Sequence, residues 1–424
     1  MKKMLIVFVL LTIILSGCFS NTRTEPVTLK VVYDSQEEFM NKYGDMYRVK
    51  HPNIEFEVIP LSQYYKEGLS GEIYNTIVET QKPDLLYGFD LESYSTEGKL
   101  IDLEPFVTKE FSKSINQYIL EYLRFKGSGR LYALSPTFAG KALFFNKTIF
   151  DQYAIPYPTD KMSWSELFAL AKRLRAAEDI QQHTTKSFSF YYAGTDLFSL
   201  AMEIASSQNV RYLNSDGTKI TINTDNWKDI FDPLINGSRK GYISTQDDIS
   251  DLENPYDGGG PFAKGHAAMT VDYSYLLNDL RHVNFKWDIV TIPVDPVQQG
   301  SVSAIQPNTV FAISANSNKV EESWKFIEFI HSEQYARTLQ KSGSYFVLPA
   351  REGLTTKFND INLKAFYSVP PMDEPRFRLS FKKSNALYSL ANDELKGAIT
   401  NADLDTKILL TELETKMQLI LKQK

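Results

Sequence analysis

Few residues in this sequence are disposed for covalent or metal chemistry. The five histidines are His51, His183, His266, His282 and His331. None stands at metal-ligand spacing from another, and no HExxH occurs. Cys18 is the single cysteine, so neither a disulfide nor a thiolate zinc set can form. No GxSxG nucleophile elbow is present. Residues 260–266 (GPFAKGH) carry histidine where a phosphate loop needs lysine. Residues 214–217 (NSDG) lack the spaced carboxylates and closing glutamate of a calcium loop and fit a hairpin turn instead. Carboxylate pairs of the kind that cleave glycosides are possible in any acidic chain, and nothing singles one out. The expectation is therefore no catalytic residue, no metal and no cofactor. What remains is non-covalent recognition. Asp34 and the group Tyr87, Phe89 and Asp90 combine carboxylates that accept hydrogen bonds with rings that stack.

The elements around them explain why these positions matter. Val27–Tyr33 (VTLKVVY) reads as a buried strand, 36–50 as a helix stopped by His51-Pro52-Asn53, and 54–59 as an alternating strand. A helix is predicted over 64–81 and a short strand over 84–87. Strand, helix, strand, helix, strand is the pattern of a parallel sheet with helical crossovers. Ligands of such sheets lie beyond the carboxyl ends of the strands. Those ends are Tyr33-Asp34, Pro60-Leu61 and 87–90. Further strands are predicted at 129–134, 142–145, 187–192, 219–222, 267–271, Trp287–Thr291 and 309–313. Helices are predicted at 164–177, with a Ser163/Glu166 capping box, and at 227–239 and 320–331. Residues 379–421 read as mostly helical, with Leu404, Ile408, Leu413, Met417 and Ile420 as an apolar stripe.

The chain has 424 residues, 43% hydrophobic and 23% charged, an ordinary globular balance. Its formal net charge of −6 and lack of long basic runs argue against nucleic acid as partner. The N-terminus carries Lys2 and Lys3, an apolar run from Met4 to Leu15 and then Ser16-Gly17-Cys18. The run is shorter than the ~18 residues a spanning helix needs, and it reads as a secretory signal. The cysteine after small residues resembles the lipobox of bacterial lipoproteins. That resemblance implies cleavage after residue 17, a diacylglyceryl (palmitate-bearing) Cys18, and a lipid-anchored protein on the extracytoplasmic face of the cell membrane. Residues 18–26 then form a tether, and losing Lys2 and Lys3 takes the net charge to −8.

Several segments, in order, resemble the extracellular solute-binding proteins of ABC importers, in particular the large family 1 cluster of maltose-binding and related sugar-binding proteins. They are KPDLL at 82–86, KLIDLEP at 99–105, and GRLYALS, ALFFNKTIFDQYAIPYP and SWSELFALAKR within 129–173. FAKGHAAM at 262–269, ESWKFIEFI at 322–330 and GSYFVLPAR at 343–351 continue the series. Ala154 and Ser135 depart from the glycine and proline usual in that family. The resemblance implies a two-lobed α/β periplasmic-binding-protein-like fold with mixed sheets and a hinge crossed more than once. Lobe one would be 27–136 with 309–363, and lobe two 137–308 with 364–424. Such lobes close around a ligand by hinge motion.

The implied function is capture of a carbohydrate, most simply an oligosaccharide, and its delivery to an ABC permease by a monomeric receptor. A sugar offers hydroxyls and an apolar face, so its site needs carboxylates, amides and flat rings. Besides Asp34, Tyr87, Phe89 and Asp90, the candidates are Phe138 and Asn308 near the crossovers. In lobe two, Asp272, Tyr273 and Tyr275 (in VDYSY) match the family's polar-then-aromatic pattern. Tyr191, Tyr192, Asp257 and Tyr345 complete the set. The alternatives are a sensory binding protein presenting its ligand to a membrane receptor, and a surface glycosidase or lyase. Within transport, a polyamine, a phosphodiester or a lipid-linked fragment is the alternative ligand.

Overall fold

The computed structural model describes residues 25–181, 187–194, 196–249, 260–297, 305–341, 347–354, 357–358, 360–370 and 379–423. Cys18 and the segment before it, Asp257, Tyr345 and most of the 256–260 loop lie outside the described residues. The described residues form two compact units, 25–89 with 313–326 and 90–312 with 327–423. These cuts fall elsewhere than the lobe boundaries expected at 136 and 309. Residues 90–136 pack with the 347–353 region, which was expected in the same lobe, through Asn116 N to Ala350 O at 2.8 Å and Glu352 N to Ser114 O at 2.9 Å.

In the first unit, Val27–Tyr33 (β1) pairs in parallel along its whole length with Ile54–Pro60 (β2). It also pairs in parallel with Leu85–Tyr87 (β3), Val31 standing opposite Leu85. The crossovers between these strands are helical, as parallel pairing requires. The first crossover is helical over 36–50, but residues Met40–Gly44 form a π-helical turn within it. Phe39, Tyr43, Tyr47, Phe56 and Phe326 pack their rings against one another at centroid distances of 5.0–6.4 Å. This cluster is the core of the unit. The second crossover corrects the prediction of one helix over 64–81. A 3₁₀ segment, Leu61–Glu67, is followed by a break and then by the helix Gly71–Gln81. Gly68 makes the break with φ +82°, a conformation that glycine adopts without a Cβ penalty.

In the second unit, Ala133–Leu134 (β4) leads into the ten-residue strand Thr137–Asn146 (β5). The sheet built on β5 also holds Phe190–Tyr192 (β6), Ile243–Ser244 (β7), Met269–Tyr273 (β8), Trp287–Thr291 (β9) and Ile305–Pro307 (β10); Phe311–Ile313 (β11) lies outside it, paired antiparallel with β4, and Leu348–Pro349 (β12) completes it. The strands run in the order β10-β5-β8-β6-β7, with β9 and β12 also on β5. Antiparallel β5–β8 and parallel β6–β8 and β6–β7 pairs make this a mixed sheet. The β5 strand is buried on both faces except at Lys141, as its apolar sequence demands. Gly140 lets the 3₁₀ segment Leu363–Tyr367 approach closely: a Cβ there would lie 2.7 Å from the Phe366 Cβ.

Other boundaries moved slightly. The strand predicted over 267–271 lies at Met269–Tyr273, which puts Asp272 and Tyr273 inside it. The capping box closes as predicted, Ser163 Oγ accepting from Glu166 N at 3.2 Å and Glu166 Oε2 from Ser163 N at 2.7 Å. The 214–219 turn is held by Asn214 Oδ1, which accepts from Thr218 N and Lys219 N, both at 2.9 Å. In the C-terminal helix Thr406–Lys422 the buried stripe is Leu409, Leu410, Leu413, Met417 and Leu421. Ile408, predicted to be in that stripe, is 54% exposed.

Candidate functional site

Each unit gathers carboxylates and tyrosines at strand ends, and each cluster is described by itself. In the first unit, Asp34 follows the last residue of β1. A lone aspartate there could simply cap the next helix, but Ser35 does that, its Oγ accepting from Glu38 N at 3.1 Å. The Asp34 carboxylate is turned instead toward two phenols. Oδ2 accepts from the Tyr87 hydroxyl at 2.9 Å, and Oδ1 from the Tyr65 hydroxyl. Tyr87 ends β3, stacks at 4.5 Å on Tyr33, and accepts at its carbonyl from the Tyr74 hydroxyl at 2.7 Å. Burial and then the Asp34 carboxylate push the Tyr87 phenol well above its usual range. The same causes push Tyr65 up to about 12. Both hydroxyls are therefore fixed as donors to Asp34 at neutral pH. Each carboxylate oxygen keeps a second lone pair that can take a ligand hydroxyl. Tyr65 is half exposed and offers a ring face beside it. It is held through Ser62 N, which donates to the Asp34 carbonyl at 2.9 Å.

Tyr65 was not among the predicted residues. Its helix was misjudged, so its approach to Asp34, 31 positions away, left no local signal. Phe89 is half-buried at the end of the same unit. Asp90 caps the helix Leu91–Thr96, its Oδ1 accepting from Glu92 N and Ser93 N at 3.2 and 3.5 Å.

In the second unit the cluster is built across β5 and β8. Lys141 stands directly opposite Tyr273, and Ala142 opposite Asp272. The Lys141 ammonium lies 2.5 Å from Glu203 Oε2 and 4.8 Å from the Tyr273 ring centroid. Glu203 comes from the helix Leu197–Ser207 and also lies 3.4 Å from the Tyr192 hydroxyl. The Lys141 and Glu203 side chains are only 11% and 6% exposed. Burial alone would lower the Lys141 pKa, but Glu203 and Tyr273 hold it above the usual lysine value. Asp272 is half-buried, its Oδ1 accepting from Tyr273 N at 2.6 Å. Burial pushes its carboxyl up to about 6, against the pull of Lys141. Tyr273 and Tyr275 lie 6.0 Å apart at 48°, and the Tyr275 hydroxyl accepts from Asn308 Nδ2. The Asn308 Oδ1 is buried without a hydrogen-bond partner.

The structure thus brings together Asp272, Tyr273, Tyr275, Asn308 and Tyr192 from the predicted set, and Asp34 with Tyr87. Phe138 is fully buried, its ring edge-on to Tyr367 at 5.0 Å, and serves the core. Tyr191 is buried beside Phe188. Lys141 and Glu203 were missed. Each is a lone charge in an apolar segment (TFAGKALFFN and LFSLAMEIASS), a pattern that asks for a buried partner. No group of metal-binding side chains occurs among the described residues. No helix among them is long and apolar enough to cross a membrane.

Comparison with known proteins follows the same lines. The family profile described as "Bacterial extracellular solute-binding protein" matches residues 22–362. A Brucella abortus (strain 2308) protein described as a binding protein is 22% identical over 253 residues, covering 57% of each chain. The present chain therefore spans little more than half the length of that curated relative. Among solved structures, a Listeria monocytogenes ABC substrate-binding protein in complex with cycloalternan is 20% identical. It matches with TM-score 0.58 over 94% of this chain and 100% of that one. The sugar-binding protein MalE of Xanthomonas citri is 14% identical, with TM-score 0.66 over 93% and 97%. At such identities these likenesses establish a common two-lobed α/β fold.

Proposed function

We propose, from the premise that this chain belongs to the family of bacterial extracellular solute-binding proteins, that it captures an oligosaccharide and delivers it to an ABC permease. The family is one of binding proteins, not of enzymes. The observation that carries the ligand class is the make-up of the two clusters. In the first, Asp34 holds the Tyr65 and Tyr87 hydroxyls; in the second, Asp272 stands beside the Tyr273 and Tyr275 rings and Asn308 holds the Tyr275 hydroxyl, a mix of acceptors and rings that hydroxyl-rich, partly apolar sugars require. A structural neighbour in complex with cycloalternan and another described as sugar-binding lend it support. Asp34, Tyr65 and Tyr87 on one unit, and Asp272, Tyr273, Tyr275 and Asn308 on the other, are the proposed contacts. Anchoring through a lipidated Cys18 on the extracytoplasmic face of the membrane belongs to the same reading.

A ligand that binds only the folded state raises the melting temperature. Purified protein lacking residues 1–17 is expected to melt higher in the presence of at least one member of a broad oligosaccharide library. At a hundredfold excess over Kd the gain is about 2.7 kcal/mol, well above detection. A flat response across the whole library would remove the carbohydrate assignment.

A further inference from the structure

Lys141 is the one charged side chain on β5, and its ammonium is already committed. Glu203 holds it at 2.5 Å and the Tyr273 ring covers it at 4.8 Å. Asp272, next to Tyr273 on β8, adds a second carboxylate to the cluster. One cation therefore stands among more than one carboxylate, with both members of the ion pair nearly buried. An acidic ligand arriving here meets like charge and finds the cation occupied. An uncharged hydroxyl meets the Asp272 carboxylate, which can accept from it, and a ring that can stack.

We propose that Glu203 is a specificity-determining residue: by holding Lys141 in an ion pair, it makes the cluster read neutral sugars and reject uronates. The inference rests on the carbohydrate reading above. Discrimination here comes from a built-in repulsive element as much as from attraction.

The test compares matched-length neutral oligosaccharides (gluco-, xylo- and manno-) with oligogalacturonate and oligomannuronate, on wild type and on Glu203→Gln. Wild type is expected to gain melting temperature with a neutral oligosaccharide and not with either oligouronate. Glu203→Gln frees the ammonium, and its neutral-to-uronate affinity ratio is expected to fall by about tenfold or more. Lys141→Met/Glu203→Gln, which lacks the cation, is expected to lose that gain. Breaking a buried ion pair from one side is destabilising. Glu203→Asp therefore serves if the glutamine variant does not fold: it draws the carboxylate back by one methylene and is expected to move the ratio the same way by less. An unchanged ratio in the folded variant, or a wild type that prefers oligouronates, overturns the proposal while leaving the carbohydrate reading intact. A wild type that responds to neither class overturns both.

Discussion

At the residue scale, the informative side chains are those whose partners are far away in sequence. Asp34 looked equally suited to capping a helix or to meeting a ligand. Ser35 takes the cap, and Asp34 faces Tyr87, 53 positions on. Asp90, by contrast, does the capping work that a strand-end aspartate most often does. His331 shows how burial alone sets a charge state. It is 2% exposed, and its Nδ1 lies 2.7 Å from the Ile327 carbonyl. Burial, helped by the Arg351 charge, lowers its pKa from 6.5 to about 4, against the pull of the Ile327 and Ser135 backbone. The ring is neutral in the fold and protonates more readily once unfolded. Its contribution to stability is therefore full above pH 6.5 and declines as pH falls from 6.5 toward about 4, by about 3 kcal/mol in all. Asp272, with its raised pKa, acts in the opposite sense over the same range, so the histidine must be isolated by difference. Urea midpoints at pH 7 and 4.5 are expected to drop further for wild type than for His331→Gln. Equal drops would show that His331 is not the acid-sensitive group.

At the element scale, strand positions were legible where a short run is rich in β-branched and aromatic residues. β1 (VTLKVVY) and β9 (WDIVT) lie at the predicted residues. Errors arose where backbone conformation departs from regular helix. The 64–81 pattern looked continuous because side-chain hydrophobicity does not register a glycine break at Gly68. In the C-terminal helix, consecutive apolar residues at 408–410 left the buried face ambiguous by one position, and packing chose Leu409 over Ile408. Gly140 makes an element-scale prediction. Alanine there places a Cβ 2.7 Å from the Phe366 Cβ and 2.9 Å from its carbonyl oxygen, so one segment must move. Gly140→Ala is expected to cost about 1–3 kcal/mol in urea unfolding. A loss below about 0.5 kcal/mol would mean that the 363–367 segment yields freely.

At the scale of the whole molecule, the ordered segments at 82–105, 129–173, 262–269 and 322–351 led to the family that the profile match over 22–362 establishes. The proposed lipid anchor makes its own prediction. In a host without an outer membrane, Cys18→Ser is expected to release the protein into the medium with its sugar affinity unchanged. Continued retention in the membrane fraction would sink the anchoring proposal. By itself the sequence determined that β1, β2 and β3 are strands of a parallel arrangement, and which family the chain joins. Both are written in local periodicity and in motifs read along the chain. Only the tertiary structure decided that Tyr65 and Tyr87 share Asp34, and that Lys141 is held by Glu203 from 62 positions away. Those pairings depend on strand register and on how helices dock against the sheet. No local pattern encodes them, because each is chosen by the burial of many other side chains at once.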